Sequence, residues 1–234
     1  MNMKMAGLDL PDLSSSRLLR NADRYLAAAV SHGRLTSSPT LSPAKCSFLE
    51  TDAGVATLVL HQALQTSQVD RQGRTSDLSR PPQRWRDCAD ALQSVLLQAG
   101  TDGLETPPSE DDGECEVLYG RAGLLYALLF LRSSITSERA GAPTDVLSTI
   151  TGLVSESNIQ RLVNAIILRG KTGSALYHSE FPRETPPALM WSWHGKRYLG
   201  AAHGVGMPLP SASSLLTMSS LLQLVSSIFC CFVP

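Results

Sequence analysis

Charge is the scarcest commodity at one end of this 234-residue chain: no Asp, Glu, Lys or Arg follows Arg197, so the last 37 positions are uncharged. Before that point 20 Lys and Arg face 21 Asp and Glu. A formal charge of −1 lacks the cationic excess that neutralises phosphates, which excludes a nucleic-acid binder held by a basic face. Cysteine is sparse and unpatterned. Cys46, Cys88, Cys115, Cys230 and Cys231 contain no C-x-x-C pair, so neither a zinc knuckle nor a disulfide framework can be read from them. The N-terminus lacks the continuous apolar core of a signal peptide, and no N-x-S/T acceptor occurs. The expectation is a cytoplasmic protein. Strand-like alternation is also missing, while 43% hydrophobic content excludes a disordered chain.

What is present is helical periodicity. Amphipathic helices are predicted over 15–32, 83–99 and 157–169, with Gly33, Gly100 and Gly170 as their stops. The second, for example, places Trp85, Cys88, Ala89, Leu92, Val95, Leu96 and Ala99 on one face. Between them lie Ala53–Gln65 and Ala122–Leu131, apolar nearly all round and therefore expected to be buried on every side. Segments 36–45, 67–82, 101–113 and 172–188, rich in Pro, Ser, Thr and Gly, read as connections. The fold class is all-α, with outer and inner helices alternating.

The inner segments open on a repeated phrase. LETDAG (49–54), LYGRAG (118–123) and LGAAHG (199–204) each place Leu five positions before Gly. Glycine in the first turn of a buried helix lets the backbone approach a neighbour or a ligand closely, beside free N–H groups at a positive dipole end.

Three longer phrases, SFLETDAGVATLVLHQAL (47–64), ECEVLYGRAGLLYALLFLR (114–132) and MWSWHGKRYLGAAHGVG (190–206), resemble successive repeats of the eukaryotic lanthionine synthetase C-like (LanC-like) proteins. The resemblance implies a partial (α/α) toroid of about three of seven repeats. It divides the chain into a disordered N-terminus at 1–14, a LanC-like domain at 15–206 and a non-homologous apolar tail at 207–234. It further implies a thiol transferase chemistry, in which zinc lowers the pKa of a glutathione thiol that then adds to a dehydroamino acid in a peptide. By position, His203 matches the family's active-site histidine, which would protonate the enolate, and Glu116 aligns with an acidic residue of the bacterial members' site. Glu114 is a weaker claimant than Glu116. Lys196 and Arg197 could attract an acidic co-substrate such as glutathione, and Trp191 and Trp193 read as packing residues. A glycosidase on a similar barrel would need a second carboxylate opposite Glu116, and none is evident.

The chain departs from the family in two places. No Cys-His-Gly phrase of the family's zinc site occurs, so no residue is assigned to a metal, and the expectation is that this chain alone is not a competent zinc enzyme. After Gly206 the sequence reads MPLPSASSLLTMSSLLQLVSSIFCCFVP. Two readings of this tail stand open: translation through an unspliced intron, which would make the chain a truncated member, or a membrane tail anchor of 20 uncharged residues. The expected localisation is cytoplasmic, with a protein peripheral to the plasma membrane as the alternative. The remaining partners implied are glutathione and dehydrated peptides, and a non-catalytic helical binding module is the alternative function.

Overall fold

A computed structural model describes residues 21–22, 24–29, 45–65, 85–105, 115–138, 142–192 and 195–197. Five complete helices are described: α1 (Asp52–Gln65), α2 (Trp85–Glu105), α3 (Arg121–Glu138), α4 (Thr144–Leu153) and α5 (Glu156–Glu180). Residues 21–22 and 24–29 are helical too, within the predicted 15–32 segment; Leu26 packs on the core while Tyr25 is exposed. No strand occurs among the described residues, and the fold is all-α.

Apolar periodicity decides which faces meet. All seven predicted face residues of α2, from Trp85 to Ala99, are buried. They lie in one core cluster with Leu60 and Leu64 of α1, Leu124, Leu128 and Leu131 of α3, and Ile159 and Leu162 of α5. Helix α2 packs against α1 and α5, and α1 in turn packs against α3. The helices α1 and α3 are not buried all round, however. Val55, Tyr126, Leu129 and Phe130 are half-buried and Leu58 is exposed, so each keeps one apolar face open.

Glycine corrects two predicted helix ends. Helix α2 continues through Gly100 to Glu105, and α5 through Gly170 and Gly173 to Glu180, so 172–180 is helix rather than connection. A glycine inside a helix costs about 1 kcal/mol relative to alanine, and both sites show what offsets it. A Cβ on Gly100 would lie 2.8 Å from Cδ of Arg161, and one on Gly170 would lie 2.6 Å from the Trp191 ring. These glycines admit a neighbouring side chain instead of stopping the helix. Over Gly170 the returning segment is pinned: Met190 N–H donates to Gly170 O (2.8 Å), and the Trp191 indole N–H donates to Ile166 O (3.0 Å). Trp191 is thus a packing residue, while Trp193 lies outside the described residues.

Helix α4 has no counterpart among the predicted helices. Its sequence TDVLSTITGL is rich in Thr, Ser and Gly, poor helix formers that mask the i, i+4, i+7 stripe of Val146, Ile150 and Leu153, all buried. Its C-terminal carbonyls are held from outside. The Asn158 amide donates to Gly152 O (3.1 Å) and Leu153 O (3.0 Å), and Arg161 donates to the same amide's oxygen (2.7 Å). One polar side chain on α5 thereby closes the two-residue α4–α5 turn.

Two alanine substitutions separate a packed glycine from a free one. Gly170→Ala forces its methyl into the Trp191 ring and is expected to destabilise by about 1–3 kcal/mol. Gly152→Ala meets nothing within 4 Å and is expected to stabilise by up to about 1 kcal/mol. Urea denaturation of both variants against the parent measures the difference.

Candidate functional site

The repeated phrase folds as a repeated turn. In both described copies the helix begins two residues before the glycine, at Asp52 and at Arg121. Both glycine N–H groups bond to the carbonyl three residues back, Gly54 to Thr51 O and Gly123 to Gly120 O, each at 3.1 Å. In both, a Cβ on the glycine would fall on the carbonyl oxygen six residues earlier, Phe48 O or Val117 O. The residue seven before the glycine caps the turn: Ser47 Oγ accepts from Glu50 N–H (3.3 Å) and Glu116 Oε1 accepts from Tyr119 N–H (2.6 Å). Ser47 and Glu116 are therefore structural equivalents, as are the buried Cys46 and Cys115 one position before them.

The two turns dock on each other at the shared end of α1 and α3. Cys46 N–H (2.7 Å) and Ser47 N–H (3.1 Å) both donate to Tyr119 O, and Phe48 N–H donates to Gly123 O (3.3 Å). The Ser47 hydroxyl donates to Leu118 O. A Cβ on Gly123 would come within 2.9 Å of Ser47 Cα, so this glycine serves both its own turn and the neighbouring one. The result places the N-termini of two inner helices side by side, their dipole ends together. Arg121, fully buried at the head of α3, donates from Nε to Ala99 O (2.9 Å) and ties this end to α2.

Glu116 sits in this joint, 7% exposed. Its cap on Tyr119 N–H gives it a local role that the sequence pattern alone did not reveal, and Ser47 was not among the residues singled out. Their common register to the glycine was the available signal. His203, the other predicted catalytic residue, lies outside the described residues, as do Glu114 and the LGAAHG phrase.

Of the two cations proposed for an acidic ligand, Lys196 is exposed and Arg197 is engaged. The Arg197 guanidinium forks onto the Glu180 carboxylate, with Nη1 at 2.8 Å from Oε2, and lies 5.3 Å from the Tyr177 ring centroid. The Tyr177 hydroxyl donates to Glu184. This clasp fastens residues 195–197 to the C-terminal end of α5. Arg197, hydrogen-bonded to Glu180, holds that carboxyl below its ordinary 4.5, and the hydrogen bond to Glu184 raises Tyr177 above its ordinary 10.

The zinc implied by the family resemblance requires three or four Cys, His or carboxylate donors converging on one point. Among the described residues no group of three such side chains does so. Cys46, Cys88 and Cys115 are buried, and the first two belong to the apolar core cluster. The described residues therefore do not fit a zinc centre. His194, His203, Cys230 and Cys231 lie outside them.

Substitutions at the joint should differ sharply in cost. Gly123→Ala, whose methyl would collide with backbone from two turns, is expected to destabilise by more than about 2 kcal/mol. Glu116→Gln keeps an oxygen for Tyr119 N–H and is expected to cost less than about 1 kcal/mol, whereas Glu116→Ala loses the cap at about 1–2 kcal/mol. Thermal unfolding ranks the three. For the clasp, a lowered Glu180 supports docking above its unfolded value and loses it as pH falls through the lower folded value. The hydrogen bond from Tyr177 to Glu184 supports the turn after α5 and is lost as pH rises through the raised Tyr177 value. The protection factors of residues 189–197, taken relative to the intrinsic base-catalysed exchange rate, are expected to fall as pH drops through the lowered Glu180 value, with Glu180→Gln abolishing that acid limb.

The model of the lanthionine synthetase C-like protein family matches residues 74–212, six residues past Gly206. A zebrafish (Danio rerio) protein named glutathione S-transferase LANCL1 is 30% identical over 90 residues, which cover 38% of this chain and 18% of that protein. No solved structure matches the chain. The matched span takes in α2 through α5, the LYGRAG turn and the LGAAHG phrase, and the chain belongs to the lanthionine synthetase C-like family.

Proposed function

We propose that this chain forms a section of the mouth of a partial LanC-like (α/α) toroid and engages glutathione and dehydrated peptides there without activating a thiol on zinc of its own. The observation that carries the reading is the docked pair of glycine turns, which sets two inner-helix N-termini together at one end. Paired helix N-termini favour carboxylates, and glutathione carries two. The relative named a glutathione S-transferase supports glutathione as the ligand class.

The reaction proposed for the family is a conjugate addition. A thiolate sulfur bonds to Cβ of a dehydroalanine or dehydrobutyrine, the C=C electron pair moves onto Cα and the carbonyl as an enolate, and a proton is delivered to Cα. In this chain His203, which stands immediately before Gly204 as Ala53 and Ala122 stand before Gly54 and Gly123, is the proposed proton donor. Glu116 is proposed to hold the mouth in shape through its bond to Tyr119 N–H. What the chain lacks is the means to form the thiolate, since its sequence has no Cys-His-Gly phrase. Binding without turnover is therefore the proposed state, in a cytoplasmic protein. No helix among the described residues is long and apolar enough to cross a membrane.

Calorimetry with glutathione, metal analysis and an adduct assay on a dehydroalanine peptide test this together. Saturable glutathione binding with substoichiometric zinc and no thioether product is the expected result. Stoichiometric zinc with thioether formation would overturn the non-catalytic reading, and no detectable glutathione binding would overturn the ligand.

A further inference from the structure

Beyond α5 the chain turns back along its own helix. Glu184 N–H closes a turn on Phe181 O (3.0 Å), and the Ser174 hydroxyl of α5 donates to Pro187 O. Leu189 and Met190 are then buried, with Met190 N–H on Gly170 O. Between the turn and this anchor, residues 185–188 form no helix or strand and lie on the surface. Thr185 is exposed, as are Pro182, Arg183, Glu184, Pro187 and Ala188, and Pro186 is half-buried.

Thr185 differs from the other exposed hydroxyls nearby. Thr172 and Ser179 donate to carbonyls of their own helix, at Leu168 and Leu176. The Thr185 hydroxyl makes no hydrogen bond to a described residue. Among the described residues it is also the one Ser or Thr followed by proline.

Two consecutive prolines set the local backbone. Pro186 pushes Thr185 out of the α region into an extended conformation, and Pro187 does the same to Pro186. Such a stretch loses little freedom on entering a cleft that takes an extended chain. Pro186 also removes the N–H that would follow the hydroxyl. A pocket that is apolar at this position and offers no acceptor takes proline and rejects other residues, whose N–H would be buried unpaired. Proline-directed serine/threonine kinases read their substrates in this way.

We propose that Thr185 is a phosphoacceptor for a proline-directed protein kinase. Its Oγ1 bonds to the γ-phosphorus of a nucleoside triphosphate, and the bond from that phosphorus to the β–γ bridging oxygen breaks. The nucleoside diphosphate leaves and the hydroxyl proton passes to the kinase's catalytic base. Arg183, exposed and forming no ion pair with a described residue, supplies a cation two residues from the phosphate. The new charge falls beside Glu184, which the Tyr177 hydroxyl holds, and close in sequence to the Glu180 end of the Arg197 clasp. The inference is independent of the function proposed above.

The test incubates the full chain with an active mitogen-activated protein kinase and ATP, and locates phosphate by peptide mass spectrometry. Ser38, Ser42 and Thr106 also precede proline, so the Ser38→Ala/Ser42→Ala/Thr106→Ala chain isolates position 185. That chain is expected to take up one phosphate on Thr185, lost in Thr185→Ala and slowed about tenfold or more in Pro186→Ala. A synthetic peptide of residues 180–190 shows whether the kinase accepts the sequence outside the fold. Phosphate on the peptide but not on the folded chain would overturn the presentation of Thr185 by the structure. Phosphate on neither, or equal rates with and without Pro186, would overturn the kinase class and with it the proposal.

Discussion

Everything described at the functional end depends on two positions where no side chain fits. At Gly54 and Gly123 the chain folds back until a Cβ would overlap the carbonyl six residues earlier. That closeness brings Cys46, Ser47 and Phe48 within hydrogen-bonding range of Tyr119 O and Gly123 O. Without it the two inner helices would still be apolar and could still pack, but their N-termini would have no reason to share a level. Hydrophobic burial is non-directional; the backbone bonds between the turns supply the register.

The same contrast explains which features were legible in the sequence. Amphipathic spacing identified seven buried residues of α2 and missed the buried Ala91 at the edge of their stripe, because burial of one stripe is what a 3.6-residue period encodes. The L-x-x-x-x-G phrase located both docked turns. Glycine was misread where its meaning is tertiary. Gly100 and Gly170 have the look of helix stops, yet they are sites where Arg161 and Trp191 come against the backbone, and nothing local distinguishes the two uses. Helix α4 was invisible for the converse reason: its propensity is poor, and it is held by three buried apolar residues and by Asn158 from the next helix. Glu116 was visible as a carboxylate, but its equivalence to Ser47 emerges only when the two turns are compared bond by bond.

That equivalence bears on what the site requires. A serine and a glutamate satisfy the same N–H at the same register, so the turn tolerates either and needs only an acceptor at position 116. The 115–117 segment is buried, which fits a carboxylate whose orientation is fixed by the turn and not by solvent. The clasp of Arg197 on Glu180 ties residues 195–197 to the C-terminal end of α5. Position 197 stands seven residues before Gly204, as Ser47 stands before Gly54 and Glu116 before Gly123.

Seen in this register, the three copies diverge in a graded way. The residue seven before the glycine is a neutral hydroxyl in the first, a carboxylate in the second and a guanidinium in the third, while the residue immediately before it is Ala, Ala and His. In the two described turns the glycine is required because a Cβ there would fall on a carbonyl oxygen, whereas the half-exposed Leu49 shows that the leucine five before it is not needed for closure. Two turns that share a backbone joint can differ in the side chains they present beside it without disturbing the core. Helices α1 and α3 leave Val55, Leu58, Tyr126, Leu129 and Phe130 only partly covered, at a cost of about 25 cal/mol for each Å² of apolar surface left in water.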